Sequence, residues 1–180
     1  MFSKRVLSRD KAALAISIIA LVALDIAPAS AKNSTTGAFG QSISVAKATL
    51  DLSKNSQAIT VTGKGFDETI GIYLAYCVMP KLGQAPTPCG GGANKLGIGD
   101  ASIWISSNPP PYGSGLAIAF KGGGRFTEKL SVTRNIGKFD CTKVKCAVTV
   151  RSDHLHEGDR TNDLFIPITF KSQEVKKKKE

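Results

Sequence analysis

The four cysteines of this 180-residue chain are the residues whose chemistry the sequence predicts most directly. Eleven residues separate Cys77 from Cys89, and four separate Cys141 from Cys146. Behind a secretion signal, an even number of cysteines indicates disulfides rather than a reduced nucleophile. Three pairings are possible, and the two local bridges cost the least chain entropy to close. In the chain-entropy model the first bridge contributes about 3 kcal/mol and the second about 2 kcal/mol.

Both histidines lie in one polar segment, residues 152–159. In an extended conformation His154 and His156 point to the same side, so their rings could share Zn²⁺ or Cu²⁺ with a nearby carboxylate. A lone His-x-His is a weak signal, and no second half of a metal site follows it in the sequence. We therefore favour an ordinary polar loop and predict no metal. Because no serine or cysteine has a catalytic context either, we favour a binding protein over an enzyme.

Two glycine triplets, at residues 90–92 and 122–124, are candidates for phosphate-binding loops, which are rich in glycine. Such a loop opens a helix and places a lysine on the phosphates. Neither triplet is followed by a helical pattern, so we predict that both are turns. The segment Asn-Pro-Pro-Pro-Tyr at residues 108–112 predicts a rigid polyproline II loop at the surface.

The formal net charge is +10, which favours anionic partners. One run of cations follows a predicted strand region: Lys121, Arg125, Lys129, Arg134, Lys138, Lys143 and Lys145. It could contact phosphates, but no stacking aromatics or DNA-reading motif accompany it. The sequence therefore predicts non-specific affinity for anionic polymers, either cell wall or DNA. A second run, at Lys171 and residues 176–179, predicts a solvated tail, with anchoring to an anionic envelope as the alternative.

The first 31 residues have the order of a signal peptide. Four basic residues precede an apolar run at residues 12–24, and Ala29, Ser30 and Ala31 offer a cleavage site. The run is short for a membrane span, although an uncleaved anchor is the alternative. Cleavage leaves 149 residues with a net charge of about +8. We expect a linker at 32–43, one domain at 44–171 and a lysine-rich disordered tail at 172–180, in a monomer without a transmembrane domain.

Short strands with period-two alternation must position these residues. Alanine and leucine alternate with polar residues through 46–52, and Ile59 and Val61 repeat the pattern. From about residue 69 to 78, Tyr76 faces one side and Cys77 the other. Further strands are predicted near 101–106, 116–120, 126–133, 147–151 and 164–170, with Pro167 marking an edge or a bulge. Eight or so strands without helical periodicity predict an antiparallel β-sandwich.

Several of these motifs resemble the neocarzinostatin family, the apoproteins of enediyne chromoprotein antibiotics. Residues 59–66, Ile-Thr-Val-Thr-Gly-Lys-Gly-Phe, are similar to that family's second-strand signature. The interval from Cys77 to Cys89 resembles its first disulfide loop. The segments Phe-Asp-Cys-Thr at 139–142 and Ile-Pro-Ile-Thr-Phe at 166–170 resemble its second disulfide and its closing strand. The resemblance covers roughly residues 46–170 and implies an immunoglobulin-like, Greek-key sandwich of about seven strands with two local disulfides.

The resemblance also implies a function. In that family a cleft holds a labile enediyne chromophore through apolar and aromatic contacts, and the chromophore cleaves DNA. Carried over by position, Cys77 and Cys89 would form the floor of the cleft. The candidate ligand-binding residues are Tyr76, Val78, Trp104, Tyr112, Phe126 and Phe139. The resemblance thus implies a secreted antibiotic carrier with no cofactor beyond a non-covalent chromophore.

The chain departs from the family pattern in three ways. The family's long, aromatic-rich loop before the second disulfide is reduced here to residues 135–140, with the single aromatic Phe139. Residues 90–124 are much longer than their counterpart and bring Trp104, Tyr112 and Phe120. The known carriers are acidic, whereas this chain is basic. The alternative function is therefore a cell-envelope or surface-interaction module that has lost the chromophore and uses its basic tail.

Overall fold

The computed structural model describes residues 32–90 and 102–172, and these form an all-β domain. The strands, in chain order, are β1 (Ser34–Thr36), β2 (Ser42–Val45), β3 (Thr49–Asp51), β4 (Ser56–Lys64), β5 (Ile72–Val78), β6 (Ser102–Ile105), β7 (Phe126–Thr133), β8 (Asn135–Ile136), β9 (Phe139–Asp140), β10 (Cys146–Ser152) and β11 (Leu164–Lys171). Within these described residues, one 3-10 turn, Pro111–Gly113, lies between the strands. The predicted signal peptide and most of the lysine tail lie outside the described residues.

Two sheets pack face to face as an immunoglobulin-like sandwich. The four-stranded sheet has the order β1-β2-β4-β7, and the five-stranded sheet has the order β3-β11-β10-β5-β6. The pairs are antiparallel except β11 with β3, which is parallel. A short ribbon of β8 and β9 leads into the second disulfide. The predicted all-β sandwich is therefore confirmed.

Period-two alternation in β4 explains how the core forms. Residues 57, 59, 61 and 63 are buried, whereas the residues between them are half-buried or exposed. Their inward side chains meet those of the facing sheet, so the apolar side chains of both sheets leave water together. The largest fully buried aliphatic side chains are Ile43, Leu50, Ile59, Ile72, Leu74, Ile105, Leu130, Ile136 and Ile166. At one end Phe66 packs against Phe120 and Phe126, with ring centroids 6.2 and 5.6 Å apart.

Two sequence-based expectations near the start of the domain differ from the structure. The continuous strand expected at residues 46–52 is shorter in the structure: β2 of the four-stranded sheet ends at Val45, and only residues 49–51 form a strand, β3 of the five-stranded sheet. The alternation persists because Ala48 and Leu50 are buried while the chain crosses between the sheets. The linker expected at 32–43 instead contains β1 and the beginning of β2, because β1 pairs in register with β2.

Pro167 is predicted to mark an edge strand or a bulge, but β11 is an inner strand of the five-stranded sheet and pairs with β10 in continuous register. Pro167 lies opposite Ala147 of β10, and the pairing with β3 begins only at Thr169. On its other side Pro167 therefore borders no paired strand, so its missing N–H costs no ladder hydrogen bond. The two local disulfides are present: Cys77 is bonded to Cys89, and Cys141 to Cys146.

Of the expected strands, residues 116–120 deviate most. They form an isolated parallel bridge, Ile118 with Ile105, beside the edge strand β6. Two backbone hydrogen bonds, from Ser106 N to Ile118 O and from Ile118 N to Trp104 O, hold the segment there at 2.9 Å each. In the parts of the chain that the structure describes, no helix is long and apolar enough for a membrane span.

Candidate functional site

The outer face of the five-stranded sheet carries an aromatic cluster, which consists of Tyr73, Trp104, Tyr112 and His154. In β5, residues 72, 74 and 76 point into the core, so Tyr73 and Cys77 point outward. Tyr73 lies directly opposite Trp104 of β6, with ring centroids 6.3 Å apart. The imidazole of His154 lies 5.0 Å from the Trp104 ring and 6.0 Å from the Tyr73 ring. A compact group of rings therefore covers the outer side of this sheet, with Tyr73 and Trp104 buried and Tyr112 exposed.

Hydrogen bonds fix the imidazole at both nitrogens. The Tyr73 hydroxyl lies 2.7 Å from His154 Nδ1, and the Tyr112 hydroxyl lies 2.8 Å from Nε2. A neutral imidazole donates at one nitrogen and accepts at the other, and a hydroxyl can serve either role. Tyr73 is fully buried, whereas Tyr112 is 61% exposed. His154 thus joins a buried ring to one that is open to solvent.

A buried carboxylate supports the cluster from below. Asp153 is 1% exposed, and its Oδ2 accepts a hydrogen bond of 2.9 Å from the indole N–H of Trp104. Its Oδ1 accepts from the backbone N–H of Leu155 at 3.0 Å and lies 3.2 Å from His156 Nδ1. Gly71 leaves room for this carboxylate, because a Cβ there would collide with Asp153. Because the indole is held at its only polar atom, its orientation is well defined.

The 3-10 turn brings Tyr112 to the cluster. Its glycine, Gly113, is buried against the Trp104 ring, and a Cβ at this position would contact two ring carbons. Gly113 N donates to Pro110 O at 2.7 Å, and Leu116 N donates to Gly113 O at 3.0 Å. The proline-rich segment, predicted to be a rigid polyproline loop, therefore closes in a turn that packs directly on the indole.

Burial raises the pKa of the Tyr73 hydroxyl to about 12. The negative charge of Asp153 adds to this rise, while the guanidinium of Arg151, 5.5 Å from the ring, opposes it. The Tyr73 hydroxyl therefore keeps its proton to a higher pH than an ordinary tyrosine and remains available to hydrogen-bond His154. This part of the cluster is polar but uncharged.

Small side chains and the first disulfide continue the same face beside the cluster. Ala75, Cys77 and Thr149 are all buried on the outer side of β5 and β10. The Thr149 hydroxyl lies 3.2 Å from Cys77 Sγ and donates to Ala75 O at 3.3 Å. Cys89 bridges to Cys77, and Gly90 N donates to Tyr76 O at 2.6 Å. Ala75, Cys77 and Thr149 form a buried layer with the aromatic cluster at one end and the disulfide at the other.

The relation to known proteins follows from the sequence as a whole. A family model described as the neocarzinostatin family matches residues 43–165, which is more than half of the chain. The chain belongs to the neocarzinostatin family. Among solved structures, it is similar to macromomycin, with 18% sequence identity and a TM-score of 0.45 over 73% of this chain and 99% of that chain. No curated protein matches it.

Membership of the neocarzinostatin family supports a protein of the chromophore-carrier kind, and the apoproteins of this family are carriers rather than enzymes. The candidate ligand-binding residues named from the sequence occupy three different places in this member. Trp104 and Tyr112 come together in the aromatic cluster. Tyr76 and Phe126 face the core between the sheets, and Val78 packs against its margin. That these three residues contact a ligand stays a prediction.

Phe139 lies apart from the others, on the β8–β9 ribbon. It is half-buried, and the ammonium of Lys138 is 5.7 Å from its ring centroid. The cation of Lys138 is thus positioned on an aromatic face, an arrangement that stabilises exposed pairs modestly. The predicted role of Phe139 in binding a ligand also stays untested.

The histidines are placed differently from the arrangement a shared metal would need. His154 is hydrogen-bonded to two tyrosines, whereas His156 is paired with Asp153. Within residues 32–90 and 102–172, no group of three or more His, Cys, Asp or Glu side chains could hold a metal ion. The segment contributes the carboxylate and the imidazole of the cluster instead.

Sequence reasoning missed Tyr73 and considered His154 only as a metal ligand, not as a partner of the two tyrosines. The sequence pattern could have indicated Tyr73, because residues 73, 75 and 77 alternate along β5 and therefore share one face of the strand with Cys77. No comparable signal exists for His154, which lies 81 residues from Tyr73 in the chain. Its position depends on the pairing of β10 with β5, which places Arg151 opposite Tyr73 and the histidine just beyond.

Proposed function

We propose that this protein is a secreted, non-enzymatic carrier of a small apolar or aromatic ligand. The observation that carries the proposal is the aromatic cluster beside the Cys77–Cys89 disulfide, on the outer face of the five-stranded sheet. Family membership supports the same kind of function. An enediyne chromophore, with an antibiotic action on DNA through that ligand, is the specific form that the resemblance implies.

We expect the ligand to lie against the ring of Tyr112, which is the exposed member of the aromatic cluster. An aromatic ligand would stack offset on Tyr112, a contact that contributes about 0.5–1.5 kcal/mol beyond burial. Trp104 and Tyr73 would hold the cluster in place, because Asp153 and His154 fix their polar atoms. Rings that are already oriented lose little conformational entropy when a ligand binds.

The test is native mass spectrometry, together with an absorption spectrum, on protein recovered from the medium of the organism that produces it. A carrier would show a light-absorbing adduct of several hundred daltons, a mass that suits a pocket-sized ligand. A bare polypeptide mass under native conditions, short of four hydrogens for the two disulfides, would contradict the proposal.

Two exposed aromatic residues provide matched variants for locating the adduct. Tyr112→Ala should lower its occupancy, because the exposed ring of the cluster is removed. Phe39→Ala should leave it unchanged, since Phe39 is 75% exposed and borders a separate groove of about 410 Å³ with Phe66 and Ile70. The opposite pattern would place the ligand in the groove beside Phe39.

The alternative function is an envelope or surface-interaction module that is anchored by the lysine-rich tail, residues 172–180. This role of the tail stays a prediction. Most of that tail lies outside the described residues. Deletion of residues 174–180 tests it: retention on anionic cell wall should be lost if the tail is an anchor. Unchanged retention would reject the anchor.

A further inference from the structure

A concave surface lies on the side of the sandwich opposite the aromatic cluster, on the outer face of the four-stranded sheet. It is a groove of about 620 Å³. Its lining is rich in hydroxyl side chains and cations: Ser34, Thr36, Ser42, Ser44, Thr62 and Thr127, with Lys64, Lys121 and Arg125. We call it the hydroxyl groove. The carrier function does not use it.

The strand register arranges the hydroxyl groups in rows. Ser34, Ser44, Thr62 and Thr127 lie opposite one another across all four strands of the sheet. Because neighbouring strands are about 5 Å apart, this row extends about 14 Å across the sheet. Thr36, Ser42 and Lys64 form the next row, about 7 Å away along the strands. The groove therefore presents a regular two-dimensional set of hydrogen-bonding groups.

Few of these groups are used within the protein. Ser44 Oγ and Thr62 Oγ1 are hydrogen-bonded to each other at 2.6 Å. Each hydroxyl retains further capacity to donate or accept, because it has one proton and two lone pairs. Thr62 and Thr127 are exposed, so these groups are open to a ligand.

A hairpin holds two of the cations at the edge of the groove. Lys121 and Arg125 exchange backbone hydrogen bonds of 2.7 and 2.9 Å around the glycine triplet. The triplet then binds the end of β4: Gly65 N donates to Gly123 O at 3.1 Å, and Phe66 N donates to Gly124 O at 3.3 Å. A Cβ at Gly124 would collide with the backbone of Phe66, so only glycine permits this approach. The hairpin is consequently docked tightly beside Lys64.

The charge of the groove is uncompensated. None of the described residues that line it is acidic. In the described part of the chain, Lys64, Lys121 and Arg125 take part in no salt bridge. The carboxylate of Glu68 approaches the hairpin, where its Oε1 accepts from Gly124 N at 2.8 Å. Three exposed cations beside a hydroxyl floor therefore favour an anionic ligand.

We infer that the hydroxyl groove binds an anionic polysaccharide. The hydroxyl rows would exchange hydrogen bonds with sugar hydroxyls, and the three cations would bind carboxylate or other acidic substituents of the chain. Nucleic acid suits the groove less well. Single strands bind by stacking on aromatic side chains, and the aromatic residue in the lining, Phe126, is only 2% exposed.

The residues of the basic run between Lys121 and Lys145, which the sequence predicts to contact anionic polymers, have different roles in the structure. Lys121 and Arg125 belong to the hydroxyl groove. Arg134 has a structural role, because its guanidinium donates to Leu52 O at 3.3 Å and to Asn55 Oδ1 at 3.1 Å. The affinity for polyanions should therefore depend on the first two cations and Lys64.

Calorimetric titration of the full chain with an oligogalacturonate tests the inference. The same oligosaccharide as its neutral methyl ester isolates the contribution of charge, and a DNA duplex serves as a competing polyanion. We expect the acidic sugar to bind and its ester to bind much more weakly. Equal binding of both sugars would overturn the inference, as would absence of binding. A preference for DNA that depends on Lys64 and Arg125 would overturn it in favour of a nucleic-acid surface.

Matched variants locate the binding. Lys64→Gln with Arg125→Gln should weaken the affinity for oligogalacturonate about tenfold or more, because charge-assisted hydrogen bonds are lost. Lys54→Gln with Lys145→Gln removes the same charge at exposed positions outside the groove and should change the affinity less than about twofold. Equal effects of the two pairs would reduce the interaction to net charge and reject the groove.

Removal of one hydroxyl group from the groove tests the hydrogen bonds to the sugar separately, because the substitution leaves the charge of the protein unchanged. Thr127→Val should weaken binding of the acidic sugar, whereas Thr60→Val, on the same face but outside the groove, should not. Trp104 fluorescence, measured for each variant, verifies that the fold is retained. If Thr127→Val binds as the parent protein does, the hydroxyl row has no role and the inference fails.

Discussion

The outer faces of the two sheets differ in the burial and in the chemistry of their side chains. On the five-stranded sheet the outer face is buried, aromatic and cross-linked by a disulfide. On the four-stranded sheet it is exposed, rich in hydroxyl groups and bordered by cations. Both sheets contribute their inner faces to the same core, so the fold itself does not require this difference.

The contrast shows how period-two alternation allows one domain to present two chemistries. Tyr73 faces outward because Ile72 and Leu74 face the core, and Thr62 faces outward because Val61 faces it. Inner residues determine stability, while outer residues can vary independently. In the aromatic cluster, however, outer residues are buried as well, so that face should contribute to stability in addition to binding.

Trp104→Ala should therefore produce the largest loss of stability. The indole is fully buried, and its removal creates a cavity and leaves Oδ2 of Asp153 without the indole N–H that donates to it. Truncation of a buried aromatic residue costs about 3–5 kcal/mol. Thr127→Ala on the hydroxyl face should cost no more than about 0.5 kcal/mol. Urea denaturation of both variants measures the contrast, and similar losses would show that the faces do not differ in this way.

Replacement of both Cys77 and Cys89 by alanine should have the next largest effect. The chain-entropy model gives a loss of about 3 kcal/mol for this bridge and about 2 kcal/mol for Cys141–Cys146. Because the first disulfide adjoins the aromatic cluster, its removal should also reduce ligand occupancy. The second pair is the matched control. A loss of occupancy in both double variants would indicate a general destabilisation.

The pH dependence of stability should distinguish the buried tyrosines. Burial raises the pKa of Tyr73 to about 12 and that of Tyr76 well above its ordinary value. The unfolded chain then loses these protons first, at about pH 10. Their contribution to stability is therefore complete below about pH 10 and decreases as the pH rises towards the folded pKa. Tyrosinate absorbance of the folded protein should show delayed ionisation, and two ordinary titrations at these sites would contradict the burial.

Tyr76→Phe should have the smallest effect on stability. Among the described residues, the buried Tyr76 hydroxyl has no hydrogen-bond partner. Removal of an unpaired buried hydroxyl is neutral or slightly stabilising, because its desolvation cost disappears. Denaturation with and without ligand provides the measurement. A marked loss confined to the ligand-bound form would indicate that Tyr76 contacts the ligand.

Local patterns in the sequence predicted much of the sheet structure. The alternation of β4 and β7 and the cysteine intervals led to the observed strands and disulfides. The strand boundaries within residues 46–52 could not be predicted from the alternation, because it continues while the chain crosses from one sheet to the other. The parity of Tyr73 with Cys77 could have indicated a shared outer face. His154 could not have been placed, because its contacts depend on strand pairing across 81 residues. The hydroxyl groove likewise requires the pairing of four strands between residues 34 and 127.

The fluorescence of Trp104 tests the central claim most directly, because this residue is the only tryptophan in the chain. Titration with N-phenyl-1-naphthylamine, a neutral aromatic probe, should quench it saturably by energy transfer. We expect this response to weaken in Tyr112→Ala and to remain in the Lys64→Gln, Arg125→Gln variant. Absence of saturable quenching, or equal quenching in Tyr112→Ala and the parent protein, would contradict a ligand site at the aromatic cluster.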